Sequence, residues 1–179
     1  MDIRPELQIA SMIRAMQDIV LPAVDPANRL AQEQARLVIA TLGLVAQRLP
    51  LAYRYDRDEL TRYVALADDL LSCLPSPARA HVEVCLALDA AAAHGRDLLQ
   101  RAGADPAELA QSSMALRSQV GALVEWARAS AGADAYHALS VTLLDAARIE
   151  LERERALVVA MGFEPDPSAM PPPVERQLG

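Results

Sequence analysis

Apolar residues recur at helical spacing in six successive stretches of this chain, and prolines, glycines and Asp-Pro or Ser-Pro pairs stand between them. The first stretch opens at Pro5, whose fixed φ and missing N–H suit the first turn of a helix, and runs to about Leu21. Ile9, Met12, Ile13, Met16, Ile19 and Val20 form its stripe, and Pro22 ends it. Asp25 then caps a second helix with Pro26 at its first position, and Pro50 stops that helix after Leu49. Within it, Leu30, Val38, Leu42, Val45 and Leu49 share one stripe, while Leu37, Ile39 and Leu44 point elsewhere. A helix apolar on more than one side belongs inside a protein. The pattern predicts an all-α fold, a helical bundle of about six helices around a central buried helix, 30–49.

Leu51 to Tyr55 reads as a connector, because Asp56 and Glu59 have the spacing of a capping box and Tyr55 and Leu60 that of a hydrophobic staple. The third helix is expected from Asp56 to Pro75, burying Leu60, Tyr63, Val64, Ala67, Leu70, Leu71 and Leu74. Ser76-Pro77 opens a fourth, to about Ala102, with a bend or split expected at Gly95. Gly103 is its expected C′ residue. Asp105-Pro106 with Glu108 opens a fifth helix, and Gly132 separates it from a sixth that ends near Met161. After Gly162 the chain holds five of its 12 prolines and no apolar period. The expected organisation is one helical domain, 1–163, and a Pro-rich extended or disordered tail, 164–179.

Composition narrows the class. Apolar residues make up 53% of the 179 and aromatics only 3%, which suits helices and starves strands. All 17 basic residues are Arg, and this bias is read as codon usage in a GC-rich bacterial genome. A net charge of -7 argues against nucleic acid or an anionic membrane surface as partner. MDIRPELQ lacks the basic-then-apolar pattern of a secretory signal, and the longest charge-free run, near Leu37 to Ala46, is about half a membrane span. A cytoplasmic location follows, with Cys73 and Cys85 reduced and buried.

The search for chemistry yields no catalytic, cofactor-binding or metal residue. Di-iron bundles need Glu-x-x-His on two helices, and none of the three histidines here has Glu three residues before it. Asp134 precedes His137 by three, but Asp134 reads as a cap. His81 and Cys85 lie four apart, a spacing able to hold zinc, without a second ligand pair. His94-Gly95-Arg96 departs from a phosphotransfer motif, and Asp68-Asp69 lacks the third acid of prenyl-transferring enzymes. The most distinctive polar feature is the cluster Tyr53, Arg54, Tyr55, Arg57, Arg62 and Tyr63, a candidate interface or ligand edge. Arg148 to Arg155 reads as a solvated face, yet Leu144, Leu151 and Val158 are seven apart, as on a helix seated against a partner subunit.

The segments RPELQIASMIRAM, LPAVDPANRLAQEQARLVIATL and LAYRYDRDEL resemble a group of small uncharacterised bacterial all-helical proteins encoded near aminoglycoside-phosphotransferase-like kinases and acyl-CoA dehydrogenases. The resemblance covers the first third of the chain. It implies an accessory role near acyl or small-molecule metabolism and carries over no catalytic residue. Taken together, the residues point to a non-enzymatic interaction or accessory protein, a homodimer with a protein partner in view. An apolar-ligand module built on Met12 and Met16 is the alternative, and a metal-dependent or other enzyme the third reading.

Overall fold

The computed structural model describes residues 4–159 and 166–178, and among them the secondary structure is helical throughout, with no strand. Helix α1 (Pro5–Ala15) starts as its proline dictates, with Arg4 extended at the cap. It continues through a π-helical turn, Met16–Val20, into α2 (Leu21–Ala23). Pro22 does not stop the helix, because it sits in the first turn of α2; extended backbone at Val24 does. The following helix begins three residues later than its sequence suggests. Asp25 accepts from the Ala27 amide at 2.9 Å in a turn, and Asn28 is the cap of α3 (Arg29–Arg48), accepting from the Ala31 amide at 3.1 Å.

Pro50 likewise fails to separate two helices. It lies in a 3-10 turn, Leu49–Leu51, that leads directly into α4 (Ala52–Ser72), so Asp56 is inside a helix and the expected connector is helical. Beyond Leu74, α5 (Ser76–His81) and α6 (Glu83–Gln100) are separated at Val82, which is extended at ψ 122°. The expected single helix is thus split, but at Val82 rather than Gly95. Asp105 caps α7 (Pro106–Ser130) through the Ala107 amide at 2.8 Å, as its sequence predicts. Gly132, at φ +80°, then turns the chain into α8 (Ala133–Val158).

The chain groups into two compact units where its pattern suggests one domain and a tail. One comprises Met1–Ala52 with Arg153–Gln177; the other comprises Tyr53–Glu152 with Leu178–Gly179. The second unit holds the main core. Leu60, Ala67 and Leu70 of α4, Leu88, Ala92 and Leu98 of α6, and Leu109, Leu116 and Leu123 of α7 are all fully buried, joined by Leu139 from α8. Gly95 permits this packing. A Cβ there would lie 2.7 Å from Val64 Cγ2 and 3.2 Å from Leu60 Cδ1, and a valine methyl has little rotamer freedom to give way. Gly95→Ala is therefore expected to destabilise by roughly 1–3 kcal/mol through overpacking, outweighing a helix-propensity gain of about 1 kcal/mol. Urea unfolding measures the difference.

The first unit overturns the expectation of a central buried helix. In α3 only Ala35 is buried, with Ala31, Ile39, Leu42 and Ala46 half-buried along the same face, and α1 lies against α3. Leu30 is 67% exposed, Leu37 45%, and Val38 and Val45 are also exposed. The physical reason is that the second apolar side of α3 is left exposed to water among the described residues. The main core is built on α4, α6 and α7, not on helix 30–49. The run Arg29–Ser72 is also the one described helix long and apolar enough, by length and composition, to cross a membrane; 6% of its most apolar window is buried. In the same unit as α3, residues after 165 form 3-10 turns at Pro167–Ala169 and Val174–Arg176, with Val174 buried.

Candidate functional site

Helix α4 carries the whole Tyr and Arg cluster, and the structure divides it into separate contacts. The Arg57 guanidinium donates from Nη2 to the Leu99 carbonyl at 2.7 Å and from Nη1 to the Arg101 carbonyl at 3.4 Å, and stands 6.0 Å from the centre of the Tyr53 ring. These are carbonyls that the end of α6 leaves without helical partners, so Arg57 caps that helix from its neighbour. Arg62 donates to Asp58 at 2.8 Å one turn back, and Arg54 donates to the Leu178 carbonyl at 3.3 Å. The Tyr63 hydroxyl accepts from Arg117 Nε, and the Arg117 guanidinium lies 5.1 Å from the Tyr63 ring centre and 3.7 Å from Glu59. The hydrogen bond to Tyr63 holds Arg117 more firmly charged than usual, against some burial and with help from the charges of Tyr63, Glu59 and Glu150. Tyr53, Tyr55 and Tyr63 are all half-buried. The structure brings Tyr53 to Arg57 and Tyr63 to Arg117, and it uses the arginines chiefly to tie α4 to other parts of its unit.

Asp56, the expected helix cap, lies among these residues. Burial pushes its carboxyl above the ordinary value. An acid whose folded-state pKa is raised favours folding least when ionised, so it opposes stability above its unfolded value and has no effect well below it. Asp56→Asn is expected to stabilise the protein at neutral pH, with the gain fading as pH falls through the acid range. Thermal melts along a pH series check this.

Val82 breaks the helix between His81 and Cys85, so the two no longer share one helix face; His81 is exposed and Cys85 buried. Burial raises the Cys85 thiol pKa, with Arg79 opposing, which leaves it protonated and unreactive at neutral pH. Cys73 is half-buried rather than buried, its thiol 3.3 Å from the Asp69 carbonyl. Asp68 pairs with Arg96 at 2.9 Å at the surface, His94 is exposed, and Gly95 serves packing. Asp134 and His137 are exposed in the first turns of α8. Among the described residues no group of three His, Cys, Asp or Glu side chains is placed to hold a metal ion.

Two features escape the sequence. Arg153, expected on a solvated face, is 1% exposed. Alternation of Arg and Glu reads as solvated surface, and nothing in that spacing distinguishes the one guanidinium that is taken inside. The other feature is a groove of about 430 Å³ in the first unit, where Leu44, Arg48 and Leu51 face Leu157, Met170 and Val174. Arg48 donates to the Leu157 carbonyl at 2.7 Å, and its buried Nε has no hydrogen-bond partner among the described residues. The one hint of this groove in the sequence is the cluster of prolines that brings Pro171 and Pro173 to its wall. In the second unit, Leu144 (69%) and Leu151 (57%) of α8 are exposed. No family model, no curated protein and no solved structure matches this chain.

Proposed function

We propose that this is a non-enzymatic interaction protein of the cytoplasm that works as a homodimer. The observation that carries the reading is the outer side of α3, where Leu30, Leu37, Val38 and Val45 stand in solvent in the single chain. Water-facing leucines and valines gathered on one helix mark a surface that another macromolecule covers. The polar cluster on α4 supports the same reading, since Arg57 and Tyr63 tie α4 to neighbouring helices and Arg62 pairs with Asp58 on its own helix, none of them gathered around a cavity. Two copies with different affinity tags, expressed together, are expected to purify together through either tag. Recovery of one tag alone would count against self-association.

A second reading, a site for an apolar small molecule such as an acyl chain, draws on the groove beside Arg48. Its volume falls in the range of ligand pockets and its lining is largely aliphatic. Met12 and Met16 do not enclose such a site, since Met12 is exposed and Met16 half-buried. Native mass spectrometry of the purified chain tests this reading, which predicts a copurifying lipid mass.

A further inference from the structure

Resting on the proposed self-association, we infer that the occupant of the α3 surface is the α3 helix of a second copy, running antiparallel about a two-fold axis between Ala40 and Thr41. Leu30, Leu37, Leu44 and Leu51 repeat every seven residues, the spacing of a seam between two helices. Even spacing makes these four symmetric about one point, and the charged residues Glu33 and Arg48 share that point. Leu30 and Leu51, Glu33 and Arg48, and Leu37 and Leu44 are each equidistant from the junction of Ala40 with Thr41. A two-fold contact requires this kind of self-complementarity, because each residue meets its counterpart twice.

Both halves of such a contact are present on α3. Its first half projects Leu30 and Leu37 into solvent, and its second half, with Leu44, Arg48 and the following Leu51, forms one wall of the aliphatic groove. Pairing sets Leu37 of each copy level with Leu44 of the other, so that projecting leucines enter grooves on both sides. It also sets the exposed Glu33 carboxylate level with the half-buried Arg48 side chain, so that opposite charges face one another across the contact. A membrane fits the same face less well. One side of α3 is already occupied by α1, Glu33 and Arg48 sit along the other, and the chain carries a net charge of -7.

The test is disulfide trapping in the full chain with Cys73→Ser as background. At a rise of about 1.5 Å per residue, Thr41→Cys places the two thiols within about 2 Å of one another along the axis, whereas Gln34→Cys separates them by about 20 Å. Both positions are exposed, so neither change threatens folding. The expected result is a covalent dimer on mild oxidation of Thr41→Cys and none from Gln34→Cys. Equal trapping at both positions would mean parallel helices and overturn the inference. Trapping at neither, in a protein that light scattering shows to be dimeric, would overturn this register while leaving self-association standing. A monomer in light scattering would overturn both, as would flotation of the chain with phosphatidylcholine vesicles through α3.

Discussion

Leu60→Ala is expected to lower the unfolding free energy by roughly 2–5 kcal/mol, a larger loss than Gly95→Ala causes at the same contact. Leu60 is fully buried in α4, facing α6 at Gly95, where a Cβ would come within 3.2 Å of it. The cost of deleting a buried side chain depends on how far its surroundings can collapse into the gap. Here Leu60 lies among fully buried side chains of α4, α6 and α7, so the surroundings collapse little and most of the cavity persists. For a chain of this length the loss corresponds to a fall in melting temperature of roughly 4–20 °C. A fall of less than about 1 °C in a scanning-calorimetry trace would mean that α4, α6 and α7 do not share a core.

The second large effect concerns association. Leu30→Asp with Leu37→Asp is expected to weaken self-association by more than about 100-fold. Burying a leucine contributes about 1.5–3 kcal/mol, a two-fold contact counts every substitution twice, and each 1.4 kcal/mol is tenfold in affinity. The folded single chain should be little altered, since both leucines are exposed in it, and circular dichroism should show unchanged helicity. An unchanged dissociation constant in dilution calorimetry would remove α3 from the interface.

These two expectations divide the molecule as its sequence only partly does. The helices of the second unit are legible because their apolar residues keep one stripe: Leu60, Val64, Ala67 and Leu71 on α4, and Leu109, Leu116, Val120 and Leu123 on α7, are all buried. The cap at Asp105 and the turn at Gly132 are legible for equally local reasons. Helix 30–49 is misplaced by its pattern because two apolar sides signal that both are covered, without saying whether by the same chain. One side meets α1, and on the other Leu30, Leu37, Val38 and Val45 stand exposed among the described residues. Local signals also compete. Asp56 and Glu59 have capping-box spacing, yet Pro50 tolerates a helical turn around it and the helix starts before either. The break at Val82 carries no glycine or proline to announce it.

The Tyr and Arg cluster illustrates how far side-chain type can lead. Arg57 and Tyr63 stand on one helix as residues at binding edges do, but the long-range partners Leu99 and Arg117 decide their use, and no local pattern encodes those. The groove beside Arg48 depends on α3, α8 and the segment after 165 meeting in space, which is equally invisible to a period or a motif.

Whether this chain works as a dimer is tested most directly by the mass of the intact chain in sedimentation equilibrium at micromolar concentration. Twice the 19.3 kDa of one chain is the predicted result. A species of 19.3 kDa, with Leu30 and Leu37 left facing water, would contradict it.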